Sequence, residues 1–162
     1  MQKNRIDQIS EINKDKLLNF TFNGKKMQGY QGDTLASALL ANDIKIVGRS
    51  FKYHRPRGIV ASGAEEPNAI FQIGSGAKTE AGLKATQVDL YDGLIATSKK
   101  GWPSINFDIA IINDWMSKAF GAGFYYKTFM YPAKFWKFYE FFLRKLSGFG
   151  SAPDQKDPDN YD

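Results

Sequence analysis

"LLNFTFNGKKMQGYQGDTLASALLANDIKIVG" (Leu17–Gly48) is the stretch on which the fold turns. Leu17–Phe22 and Lys25–Tyr30 flank Asn23-Gly24, a dipeptide that readily takes positive φ and so closes a two-residue hairpin. Asp33 or Thr34 can then cap a short helix in which Leu35, Ala38, Leu39 and Ala41 share one face. Asn42-Asp43 ends that helix, and "IKIV" (44–47) is expected to return as a strand. Farther on, "NAIFQI" (68–73) and "TQVDL" (86–90) read as strands, "GSGAK" (74–78) as a hairpin turn, and Asp92-Gly93 leads into "LIATS" (94–98). Two strands, a helix and several short strands describe an α+β unit in which one helix covers one face of a mixed sheet. That is a β-grasp domain, expected over residues 17–100.

The rest of the chain divides around it. Residues 1–16 form a polar leader with only isolated apolar positions. From 101 to 150 the composition becomes aromatic, with all three tryptophans and most of the phenylalanines. There "SINFDIAIINDWMSKAF" (104–120) has helical spacing, and "GAGFYYKTFMY" (121–131) reads as a connector. Pro132 precedes a helix whose Phe135, Phe138, Tyr139, Phe142 and Leu146 make one stripe. Trp136, Phe141 and Leu143 widen the stripe beyond what a surface helix hides, so burial against something outside this segment is expected. Residues 151–162, with two prolines and four aspartates, have the composition of an acidic linker, and the sequence is expected to continue past Asp162.

Composition narrows the chemistry. The 162 residues include no cysteine and one histidine, which excludes a disulfide framework, a thiolate zinc site and an ordinary cysteine-bound cluster. The polar start has no apolar signal core, and no run approaches the length of a spanning helix, so a cytoplasmic protein is expected. His54, the one imidazole, lies among cations, and no catalytic or metal-ligating constellation is evident. Glu65-Glu66 reads as a solvated turn.

The feature that stands out is "GRSFKYHRPRG" (Gly48–Gly58). Lys45, Arg49, Lys52, Arg55 and Arg57 face no acidic residue between Asp43 and Glu65, although the chain as a whole carries only +5. Unopposed charge of this density needs an anion. Three partners remain open at this point: a phosphate or carboxylate of a cofactor or partner, acidic groups at a subunit contact, and single-stranded nucleic acid, for which Phe51 and Tyr53 would supply stacking rings.

"INKDKLLNFTFNGKKMQGYQGDTLASALLAN" (12–42), "VGRSFKYHRPRGI" (47–59), "SGAEEPNA" (62–69), "LYDGL" (90–94), "WPS" (102–104) and "AGFYYKTFM" (122–130) together resemble the N-terminal region of the alpha subunit of heterotetrameric sarcosine oxidase. The resemblance implies a ferredoxin-like [2Fe–2S] β-grasp domain that has lost its cluster. In related domains, cysteines follow an "RG" loop as C-x₄-C-x₂-C with a fourth later. That spacing, laid from Arg57-Gly58, falls on Ala61, Glu66, Ala69 and about Thr86.

The resemblance further implies a complex that oxidatively demethylates sarcosine to glycine, passes the one-carbon unit to tetrahydrofolate or releases formaldehyde, and reduces oxygen to hydrogen peroxide. Its FAD, FMN and NAD would lie outside this segment, which would serve assembly or cofactor enclosure and have no activity alone. Arg49, Lys52, Arg55 and Arg57 are then expected to hold an anionic group, a flavin or dinucleotide phosphate first, at the contact with the remaining subunits. The alternative is an independent basic module for single-stranded nucleic acid.

Overall fold

The computed structural model describes residues 4–5, 12–116, 132–148, 150–153 and 155–156, except the side chains of Phe142, Lys145 and Leu146. The hairpin forms as the sequence dictates: β1 (Asn13–Phe22) pairs antiparallel with β2 (Lys25–Gln31). Asn23 and Gly24 take φ of 50° and 79°, the twist that lets a two-residue turn match right-handed strands. β1 starts at Asn13, within the stretch read as polar leader. Helix α1 (Leu35–Ala41) follows, and Thr34 is its cap, accepting a hydrogen bond from the Ser37 N–H.

Five strands make the main sheet, in the order β2-β1-β7-β5-β6, with β5 at Ile70–Ile73, β6 at Glu80–Lys84 and β7 at Leu94–Thr97. β1 and β7 run parallel and the other neighbours antiparallel. Leu18, Phe20 and Phe22 alternate into the core with Phe71, Leu94 and the helix residues Leu35, Ala38 and Leu39. Phe22 and Phe71 meet at a ring separation of 5.0 Å. The helix lies so close to the hairpin that a Cβ on Gly29 would stand 2.4 Å from Leu90 and 3.1 Å from the Ala38 Cβ. This is the α+β, ferredoxin-like architecture expected from the sequence.

Two of the expected strands are absent. "IKIV" is irregular: Asp43 turns the chain at φ 63°, and Val47 enters the core while its N–H meets the Arg57 carbonyl. The pairing begins only at β3 (Gly48–Arg49), which joins β4 (Pro56–Arg57) in a separate two-stranded ribbon. "TQVDL" is largely a turn, with only Asp89 bridging to Thr34. The "GSGAK" segment does lie between the antiparallel strands β5 and β6.

Beyond the sheet the chain stays attached. Ile105 belongs to the core, so the segment after Gly101 is packed onto the sheet domain. A 3₁₀ turn (Ile109–Ile111) leads into α2 (Ile112–Trp115), and a second 3₁₀ turn (Ala133–Phe135) into α3 (Trp136–Ser147), which Gly148 terminates in the left-handed conformation. The expected connector 121–131 lies outside the described residues. Trp115 is 83% exposed, Phe107 69% and Phe141 63%, so the aromatic extension presents apolar surface outward.

Candidate functional site

The basic ribbon and the loop after it were built by different means. In the ribbon, β3 and β4 are joined by a turn closed by Ser50: its N–H donates to the Arg55 carbonyl, and its carbonyl accepts from His54 N–H. His54 sits at φ 52°, a conformation that histidine visits more readily than most residues. Its ring turns inward, where Nδ1 lies 2.6 Å from Oδ2 of Asp108, with both residues buried. The other oxygen of Asp108 accepts from the backbone of Trp102 and Ala110.

Of the four cations singled out in the sequence, Lys52 and Arg55 meet at the Tyr53 ring while Arg49 turns inward. Arg49 is buried, and its guanidinium donates to three carbonyls: Ile105 at 2.7 Å, His54 at 3.1 Å and Asn106 at 3.2 Å. Arg55 donates through Nε to Asp114 at 2.7 Å and lies 4.8 Å from the Tyr53 ring centre. The Asp114 hydrogen bond, then its charge, holds the Arg55 guanidinium above its ordinary pKa. Lys52 Nζ is 4.9 Å from the same Tyr53 ring, and Arg57 is exposed. Thus two of the opposing acids, Asp108 and Asp114, come from more than fifty residues away.

The second site was hidden in the sequence. Glu66, read as half of a solvated pair, is fully buried and holds four backbone N–H groups. Its Oε2 accepts from Val60 and Ala61, both at 2.8 Å, and its Oε1 from Asn68 at 2.8 Å and Ala69 at 3.1 Å. Glu65 alone is exposed, capping the Gly63 N–H. Asn68 Nδ2 donates to the Gly58 carbonyl, and Thr86 Oγ1 to that of Gly63, so both ends of the loop are tied. The one sequence signal available was that Glu66 falls on a cluster position.

Burial works to raise the Glu66 pKa, but the four backbone donors together outweigh it, and the carboxyl lies below its ordinary value. The Lys100 ammonium is pushed down by burial, with the Glu66 charge pulling the other way. Because the folded-state value for Glu66 is depressed, its stabilisation is complete above the unfolded value of about 4.3 and is lost as pH falls through the folded value. The stability difference between the parent and Glu66→Gln, from urea midpoints, is therefore expected to narrow on acidification. A difference that stays constant across about pH 3–7 contradicts this.

Fold and loop together define the class. Residues 15–101 match the family described as "2Fe-2S iron-sulfur cluster binding domain", and the chain belongs to that family. Its particular relatives are sarcosine oxidase alpha subunits: it is 51% identical over 163 residues to that of Rhizobium meliloti (strain 1021), covering 100% of this chain and 16% of the relative. It is also 42% identical over 95 residues to that of Corynebacterium sp. (strain U-96), covering 57% of this chain and 10% of the relative. The chain thus spans less than a fifth of the length of these relatives. A solved L-proline dehydrogenase from P. horikoshii is similar at 24% identity and a TM-score of 0.43, over 59% of this chain and 18% of that one.

The cluster that gives the family its name does not fit here. The sequence has no thiolate, and the cysteine spacing that the resemblance implies falls on Ala61, Glu66, Ala69 and about Thr86. The loop donors are already engaged by a carboxylate. Among the described residues no group of three acids or histidines is arranged to hold a metal, and no helix is long and apolar enough to cross a membrane.

Proposed function

We propose that this chain is the iron–sulfur-family module of a sarcosine oxidase alpha subunit, acting in subunit assembly or cofactor enclosure and not as a catalyst by itself. The observation that carries the reading is 51% identity along the entire chain to one such subunit. The complete complex would demethylate sarcosine oxidatively to glycine, with the one-carbon unit passed to tetrahydrofolate or released as formaldehyde and oxygen reduced to hydrogen peroxide. FAD, FMN and NAD would be bound by the remaining polypeptide and its partner subunits. The outward apolar side chains of Trp115, Phe107, Phe138 and Phe141 suit a contact with that polypeptide.

Within this reading the basic ribbon meets an anionic group, a flavin or dinucleotide phosphate first. The four cations contribute unequally. Arg49 supports the ribbon from inside, Arg55 is exposed but engaged by Asp114, and the exposed Arg57 with the half-buried Lys52 is the contacting pair. An Arg at the phosphate would add paired hydrogen bonds to charge. The test is the flavin content and subunit stoichiometry of the complete complex carrying Lys52→Ala and Arg57→Ala, against Lys25→Ala and Lys99→Ala as a surface control. Each desolvated charge-assisted bond is worth about 1.5–3 kcal/mol, so flavin retention should weaken by roughly tenfold or more while the control is unchanged. Equal retention in both variants counts against the anion contact. Loss of single-stranded nucleic acid binding with flavin intact would favour the basic-module alternative.

A further inference from the structure

An iron–sulfur loop has to surround a compact group and offer hydrogen bonds to it. In this chain the corresponding loop surrounds one of its own side chains. We propose that Glu66 is the resident anion of the loop, occupying the place that the family gives to a cluster and holding the same stretch of backbone closed around a carboxylate.

Position is the first support. Of the three loop positions that the cysteine spacing selects, Ala61 and Ala69 donate their N–H groups to the carboxylate, and Glu66 provides the carboxylate itself. The fourth, Thr86, closes the far side through its hydroxyl on the Gly63 carbonyl at 2.8 Å. Ala61, Glu66 and Ala69 are thereby drawn together by hydrogen bonds in place of metal, and Thr86 joins them only through the Gly63 carbonyl, which also accepts the Glu66 N–H.

The donor pattern is the second. Each carboxylate oxygen receives two N–H groups, one pair from before the Gly63 turn and one from after Glu66, so the acid bridges the two limbs of the loop. Successive backbone N–H groups pointing into one concavity make an anion-binding nest. A side chain with no exposed surface keeps its charge only because the nest replaces water on both oxygens. Without the acid, the same limbs would face each other with four orphaned donors. The proposal concerns the loop alone and is independent of the sarcosine oxidase reading.

The test uses the full chain and backbone amide hydrogen exchange. In Glu66→Ala, the amides of Val60, Ala61, Asn68 and Ala69 should exchange at least about a hundredfold faster, while the β1 amide of Phe20 is little changed. Acetate, which matches the atoms removed, should restore protection to those four amides, whereas acetamide or chloride at equal concentration should not. Unchanged protection in the variant, or equal rescue by acetamide, overturns the proposal. Should that variant not fold, Glu66→Gln should expose one pair of donors and spare the other, because the amide keeps a single acceptor oxygen. In the parent chain, acid titration followed by NMR should move the Glu66 carboxyl carbon and the four amide protons together. Amides that ignore the protonation of Glu66 would refute the nest even if neither variant folds.

Discussion

Asp33→Ala is expected to lower the unfolding free energy by about 3–5 kcal/mol, the range for removing one partner from a buried ion pair. Asp33 is buried at the junction of β2 and α1 and meets four donors. Arg5 grips it with both terminal nitrogens, at 3.1 and 2.6 Å, while Ser37 Oγ donates at 2.7 Å and the Tyr30 N–H at 2.9 Å. The Arg5 guanidinium also lies 5.1 Å from the Tyr30 ring centre. Alanine leaves the Tyr30 N–H without this acceptor and the Arg5 guanidinium without its carboxylate, while the Ser37 hydroxyl keeps only the Thr34 carbonyl. Arg5→Ala should cost less, because the Ser37 and Tyr30 bonds to the carboxylate survive. The measurement is the urea midpoint at constant m-value, and a loss below about 1 kcal/mol would mean that the clamp is ornamental.

Arg49→Ala is the second large effect. Two of its three carbonyl bonds, to Ile105 and Asn106, join the ribbon to the 102–108 segment from within, the third closes the ribbon's own turn at His54, and a bond to a charged donor contributes about 1.5–3 kcal/mol. The Asn106 and Ile105 carbonyls can partly regain water once the segment loosens, so the net loss should be about 3 kcal/mol and not the sum. Arg49→Lys should rescue little, because one ammonium cannot span carbonyls arranged for a planar fork. Protease cleavage should appear selectively near Phe107, which is already exposed. If Arg49→Ala keeps its stability and its resistance to cleavage, the arginine is not the internal tie described here. Loss of flavin from the complete complex with stability unchanged would return Arg49 to the anion contact.

The sequence made the front of the fold readable because local chemistry decides it. Asn23-Gly24 sets the hairpin, Thr34 caps α1, and the apolar faces of β1 and α1 repeat at the periods their structures require. The misread segments were those in which a tertiary partner decides. "IKIV" has strand composition, yet it serves as a connection that delivers Val47 to the core before the ladder begins. β6 escaped notice because Glu80–Lys84 is a solvent-facing edge strand with Gly82 in its middle, at φ 78°.

The site was legible in a similar, partial way. A run of cations without local acids was visible, but Asp108 and Asp114 oppose His54 and Arg55 from across the chain. A window confined to neighbours cannot register that pairing. Glu66 was harder still, since a carboxylate between Glu65 and Pro67 has the local look of a solvated turn. Only the fold turns its side chain inward onto four N–H groups, and only the family spacing shows whose place it takes.

The proposed placement of an acid in the cluster loop implies that this chain of the iron–sulfur family takes up no iron. Anaerobic reconstitution of the full chain with iron and sulfide, followed by iron and acid-labile sulfide analysis and by EPR of the reduced sample, tests it directly. The account predicts no stoichiometric iron or sulfide and no reduced-cluster signal, with the hydrogen-exchange protection of the Glu66 donors unchanged by the treatment. Stoichiometric uptake with a [2Fe–2S] spectrum would contradict it.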